Sequence, residues 1–158
     1  MKKGFTLVEL LIVMVIVGTL VTVALPKYQA AMERGRAQEA FANLKAASDI
    51  VNAQYVLNGN DYGDLSAVID SNNNFLDDVR ENFTKVRLFT APKVESIADG
   101  VVRIFTTREN EYTLVAVNDK GELKRFECLQ ADLTENYCFN VGMDQDENGL
   151  YLMDLTDF

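Results

Sequence analysis

The sequence predicts an α+β fold: a long N-terminal helix, half membrane-spanning and half amphipathic, packed on an antiparallel sheet of about four strands. Three observations predict it. Residues 5–25, "FTLVELLIVMVIVGTLVTVAL", form an apolar run with one ionisable group, Glu9. Beyond Pro26, the residues Tyr28, Met32, Ala37, Phe41, Leu44, Ala47, Val51 and Tyr55 recur at the spacing of one helix face. After Asp99 the period changes, and "GVVRIFTT", "EYTLVAVN" and "GELKRFECLQ" are β-branched and aromatic runs separated by short polar turns. Neither a one-sided sheet nor an amphipathic helix buries its apolar side alone, so each covers the other.

Composition narrows the function. With 158 residues the chain holds one domain and a terminal appendage. Its 15 Lys+Arg against 24 Asp+Glu give a net charge of −9, which repels a phosphate backbone, so no nucleic-acid binding is expected of it. The absence of histidine removes the usual zinc sites, His-based triads and His acid/base chemistry. No nucleophile–base pairing stands out elsewhere, and the chain does not read as an enzyme.

The first element is the apolar run. Its 21 residues rise about 31 Å as a helix, the thickness of a bilayer's hydrocarbon core. Lys2 and Lys3 precede it and keep that end cytoplasmic, so the rest of the chain is translocated. A cleaved secretory signal is the competing reading, but "LVTVALPKYQ" offers a poor cleavage site. Glu9 needs its own explanation, because an isolated carboxylate at membrane depth is costly. One explanation is a side chain that snorkels to the interface.

The stretch "KKGFTLVELLIVMVIVGTLVTVALPKYQ" resembles the N-terminus of a type IV pilin: a short basic leader ending in glycine, then phenylalanine, then glutamate in the fifth position of the mature chain. The resemblance implies the pilin fold and a leader, residues 1–4, removed by a prepilin peptidase between Gly4 and Phe5, with Phe5 then N-methylated. It implies that residues 5–25 serve first as a single-pass inner-membrane anchor and then as a filament core. Glu9 would pair with the Phe5 amine of a neighbouring subunit, and a buried ion pair of that kind sets register.

Residues 26–57 continue the helix as its amphipathic half. Pro26 removes the N–H that would bond the Thr22 carbonyl, and Gly18 is a poor helix former, so the segment between them is predisposed to bend or to melt. "VLNGNDYGD" supplies the helix stop. Residues 58–99 read as a connecting region with two short helical pieces on either side of Ser71–Asn74. Residues 100–158 hold the sheet, with "GLYLMDL" as a fourth strand. Cys128 and Cys138 make sense as one disulfide in an exported domain, the alternative being two separate thiols. Pilins often tie their C-terminal region in this way, so the resemblance points to the disulfide. Asp144, Asp146 and Asn148 before Gly149 form the front half of a calcium loop, but Leu155 occupies the place of its last ligand. The other reading is an acidic surface turn, and no other cofactor is expected.

The function so implied is that of a structural subunit of a type IV pilus, polymerising with itself. Its partners would be the prepilin peptidase and the inner-membrane assembly machinery, and it would end in an extracellular filament. The alternatives are a pseudopilin of type II secretion, a minor or competence pilin or, in another class, a membrane-anchored enzyme.

Overall fold

The computed structural model describes residues 5–98, 100–109, 111–130, 132, 134–153 and 155. The leader residues, Gly4 among them, lie outside the described residues. One helix, α1 (Leu7–Leu57), runs without a break through Gly18 and Pro26. It stops where the sequence turns to Asn58-Gly59-Asn60: Gly59 and Asn60 take left-handed φ values of 77° and 68°, and the Asn60 N–H returns to the Tyr55 carbonyl at 2.9 Å.

Among the described residues the sheet has six strands rather than the four expected. They are β1 (Lys93–Ala98), β2 (Val101–Arg108), β3 (Tyr112–Asp119), β4 (Glu122–Gln130), β5 (Asp144–Gln145) and β6 (Tyr151–Met153). Every pair is antiparallel, in the order β1-β2-β3-β4-β6-β5. The two unforeseen strands are its edges. An edge strand packs against one neighbour and needs no long apolar run, so β1, with charged Lys93 and Glu95, read as connection, and β5 read as part of an acidic turn. The β3–β4 hairpin turns on Lys120 and Gly121, at φ 51° and 79°, as a two-residue hairpin turn requires. Gly121 is fixed from outside as well: a Cβ there would stand 2.8 Å from the Tyr55 ring of α1.

The connecting region contains one short helix, α2 (Asp77–Arg80), not two. The first expected piece closes only one turn, with the Val68 and Ile69 N–H groups both on the Leu65 carbonyl, before Ile69 pairs with Phe75. Between these two the Asp70 carboxylate accepts the N–H groups of Asn72 and Asn74 at 2.8 and 2.9 Å and shapes the tight turn. Asn43 of α1 binds Thr84 through both its amide groups, accepting from the N–H at 3.0 Å and donating to the carbonyl at 2.6 Å. A last turn of helix, α3 (Tyr137–Asn140), follows β4.

The core lies between the second half of α1 and one face of the sheet. Ala37, Ala40, Phe41, Leu44, Ala47 and Val51 meet Val102, Ile104, Leu114, Ala116 and Phe126. The Phe41 and Phe126 rings lie 5.0 Å apart, and burying side chains such as Phe41, Leu44 and Val51 contributes about 1.5–3 kcal/mol each. Tyr28 and Met32 of the expected stripe are exposed, whereas Glu33 is buried. Burial on α1 begins where the sheet does, at the level of Tyr112, the partner of Glu33.

Candidate functional site

From Phe5 to Leu25 every residue is exposed, including large apolar side chains on all sides of the helix. This stretch is long and apolar enough to cross a membrane, and none of it is buried within the chain. Such a surface is stable only in lipid or against other proteins. Its polar groups are satisfied locally. Thr19 and Thr22 donate their hydroxyls to the carbonyls of Ile16 and Thr19 at 2.9 and 2.8 Å. No neighbour lies within 4 Å of where a Gly18 Cβ would be, so Gly18 makes room for no contact inside the subunit.

Glu9 sits in a capping box. Thr6 is the N-cap; its hydroxyl accepts the Glu9 N–H at 3.3 Å, while Glu9 Oε2 accepts the Thr6 N–H and hydroxyl, both at 2.8 Å. This role is absent from the reading of the sequence above, although Thr6-Leu7-Val8-Glu9 is the T-x-x-E signature of the motif. The two roles use different atoms. Oε2 closes the helix start, and Oε1 makes no hydrogen bond among the described residues, which leaves it open to an outside cation beside Phe5.

Where α1 leaves the exposed stretch, a second glutamate marks the junction. Glu33 Oε1 accepts the Tyr112 hydroxyl at 2.6 Å and lies 3.1 Å from Arg108 Nε, while Oε2 lies 3.4 Å from Arg36. Arg108 also pairs with Glu111. Burial, reinforced by the Glu33 carboxylate, pushes the Tyr112 hydroxyl well above its usual range, so it stays a donor. This cluster fastens the helix to β2 and β3. A cleft of about 550 Å³ opens beside it, between Pro26, Met32, Arg36 and Tyr137.

At the other end of the chain, Cys128 of β4 and Cys138 of α3 are joined by a disulfide, with Cα atoms 5.7 Å apart. The turn expected to resemble a calcium loop is organised by its own backbone. Asp146 Oδ1 accepts the N–H groups of Leu150 and Asn148 at 2.8 and 2.9 Å. The Leu150 N–H, with that of Asn148, holds the Asp146 carboxyl below the usual carboxylate range. Among the described residues no three acidic or sulfur ligands gather as a metal would need, and Asp154 and Asp157 lie outside those residues.

The chain thus joins an exposed apolar helix half, long enough to cross a membrane, to a second half of the same helix that is packed on an antiparallel sheet. Residues 1–25 match the family described as the prokaryotic N-terminal methylation motif. A type IV major pilin of Neisseria gonorrhoeae is 42% identical over 59 residues, which are 37% of this chain and 36% of that protein. A fimbrial protein of Neisseria meningitidis serogroup B is likewise 42% identical over 59 residues, 37% of this chain and 35% of its own length. A fimbrial protein of Moraxella nonliquefaciens is 52% identical over 40 residues, 25% of this chain and 26% of its own length. The matches span little more than a third of the length of the first relatives. No solved structure matches. The resemblance to type IV pilins is borne out by these relatives and by the long helix packed on an antiparallel sheet.

Proposed function

We propose that this chain is the structural subunit of a type IV pilus, with no catalytic role of its own. The observation that carries the reading is the exposed apolar stretch Phe5–Leu25 with Glu9 at its head, fused without a break to a helix half that a disulfide-tied sheet covers. In the membrane this stretch is the anchor, with the sheet domain on the outer side. A prepilin peptidase cuts between Gly4 and Phe5 and methylates the new amine; assembly then exchanges lipid contacts for contacts between helices. Glu9 Oε1 receives the Phe5 amine of a neighbour, so two charges enter the core as a pair rather than singly. The lack of a Pro26 N–H leaves the Thr22 carbonyl without its helical partner, and Gly18 removes side-chain support one turn earlier, so residues between them are where the helix yields as subunits pack. Asp144, Asp146 and Asn148 shape a surface turn in this reading, with calcium as an added ligand only if the turn opens.

The test is assembly in the producing cells. Intact mass of the filament subunit should begin at a methylated Phe5. Glu9→Gln preserves the capping box, because glutamine serves at that position, but removes the charge. It should leave membrane-pool subunit unchanged and lower sheared-filament yield at least tenfold, whereas equal yield from both would remove Glu9 from the assembly mechanism. Retained Met1–Gly4 would overturn the processing step.

A further inference from the structure

The charge of this chain is unevenly placed. From Phe126 to the end there are eight acidic residues and no Lys or Arg; the other 16 acidic residues are matched by all 15 basic ones. The opposite bias occurs in residues 82–94, where Lys85, Arg87 and Lys93 stand with no acidic residue among them. The fold brings part of each segment to opposite edges of the sheet. Lys93 begins β1 at one edge and Asp144 begins β5 at the other. They also stand at the same level, because Lys93 pairs with Phe105, Phe105 with Val115, Val115 with Glu127, Glu127 with Leu152 and Leu152 with Asp144. Lys93 and Asp144 are thus the two ends of a single cross-strand row. Five strand spacings separate them, roughly 24 Å, too far for any attraction within one copy.

Each edge is shaped. On the basic side, a groove of about 800 Å³ is lined by Lys85, Arg87, Leu88, Phe89 and Pro92, with Glu81 and the mutually paired Arg80 and Asp77 at its α2 end, so that Lys85 and Arg87 leave it net positive. Its floor is held to α1 by the Asn43–Thr84 bonds and to β2 by the Thr90–Thr107 and Phe89–Arg108 pairings. Leu88 stands in the left-handed region at φ 74°, unusual for a branched apolar residue, with its side chain exposed beside the groove. On the acidic side, the turn Asp144–Gly149 is narrow and stiffened by Asp146, whose carboxylate is occupied by its own backbone. Asp144 and Glu147 remain exposed. Among the described residues, none of Lys85, Arg87, Lys93, Asp144 or Glu147 makes an ion pair.

We propose that the acidic turn Asp144–Gly149 of one copy docks on the basic groove Lys85–Lys93 of the next, with Asp144 and Glu147 facing Lys85, Arg87 and Lys93. The occupant is a second copy because one molecule carries both complementary surfaces, at one level and on opposite edges. Different patches meeting in this way make a head-to-tail contact, which adds copy after copy and builds an open filament when its rotation does not close into a ring; a self-complementary dimer contact stops at two. The inference rests on the filament reading above and adds to it a contact outside the apolar helix.

The test uses native filaments sheared from the producing cells. A carbodiimide joins a lysine to a carboxylate only where the two touch, so mass spectrometry of treated filaments should recover Lys85 or Lys93 joined to Asp144 or Glu147. Those peptides should be missing from membrane-pool subunit, since the two edges are far apart within a copy. In parallel, Asp144→Lys with Glu147→Lys should lower filament yield at least tenfold, and adding Lys85→Glu with Arg87→Glu should restore most of it. Filaments that form but give lysine–carboxylate links only elsewhere overturn the contact and leave the filament reading intact. So does a reversal that leaves yield unchanged. Absence of any filament from parent cells overturns the filament reading, and the contact with it.

Discussion

Two glutamates on one helix are held in opposite ways. Glu9 is satisfied within its own turn, by Thr6, and shows a free oxygen to the outside. Glu33 is held from far along the chain, by a hydrogen bond from Tyr112 and an ion pair with Arg108, and is largely buried at the edge of the cleft. The same contrast divides α1. Up to Met32 none of its side chains is buried, and from Glu33 to Val51 they build the core. In the proposed function the exposed half is the one that changes surroundings, lipid first and neighbouring helices later, while the packed half holds the sheet domain. The structure puts the buried core on one half, and the proposal puts assembly on the other.

That division is open to challenge by equal substitutions in the two halves, followed by unfolding of the full mature chain in detergent. The largest effect is expected at Phe41, fully buried against Phe126: Phe41→Ala should cost about 3–5 kcal/mol. Leu11→Ala, at a residue 57% exposed, should leave the same unfolding curve in place. A loss of similar size at both positions would mean that the exposed half packs on the domain after all.

The two glutamates should separate stability from assembly more finely. Glu33→Ala leaves the Tyr112 hydroxyl without its acceptor and strips Arg108 of one of its two carboxylates, at a cost of about 3 kcal/mol. Glu9→Gln should not move the unfolding midpoint and should act on filament yield alone. Cys128→Ser with Cys138→Ser should cost about 2–3 kcal/mol on the chain-entropy account, read as a lower denaturant midpoint. Membrane insertion should be unaffected, because the bond lies wholly within the packed region.

The smallest effect concerns the acidic turn. Asp146 has a folded pKa below its ordinary 3.8, so its contribution is fully present above that value and is lost as pH falls through the lower, folded pKa. The Leu150 and Asn148 amide resonances should therefore titrate with a midpoint below 3.8. A midpoint at or above it would mean that the carboxylate is not held by those N–H groups, and the turn would not be the stiff knob that docking on the basic groove requires.

Much of the molecule is written in local patterns. A membrane-length apolar run, a stripe at helical spacing and β-branched runs parted by two- or three-residue turns depend on neighbours in sequence, so α1 and strands β2, β3 and β4 were legible. The Thr6–Glu9 box is equally local, since Thr6-Leu7-Val8-Glu9 carries its whole spacing. The edge strands β1 and β5 were not legible. What makes Lys93–Ala98 a strand is the presence of Phe105 and Ile104 beside it, and no propensity of its own records that. Tyr28 and Met32 of the stripe are exposed for the same reason: periodicity says which side of a helix is apolar but not where along it the covering sheet begins.

Residue type and spacing are enough to specify the basic, glycine-ended N-terminus, the membrane-length run, and the helix with its stop at Asn58-Gly59-Asn60; two cysteines leave a single possible intramolecular pairing. Three further features come from the packed chain alone: where burial starts on α1, the hold of Tyr112 and Arg108 on Glu33, and the row across six strands that Lys93 and Asp144 end. The physical reason is that burial, ion pairing and strand register are properties of surfaces brought together from distant parts of the chain. Those meetings are set by the packing of the whole sheet on the helix, which no local pattern encodes.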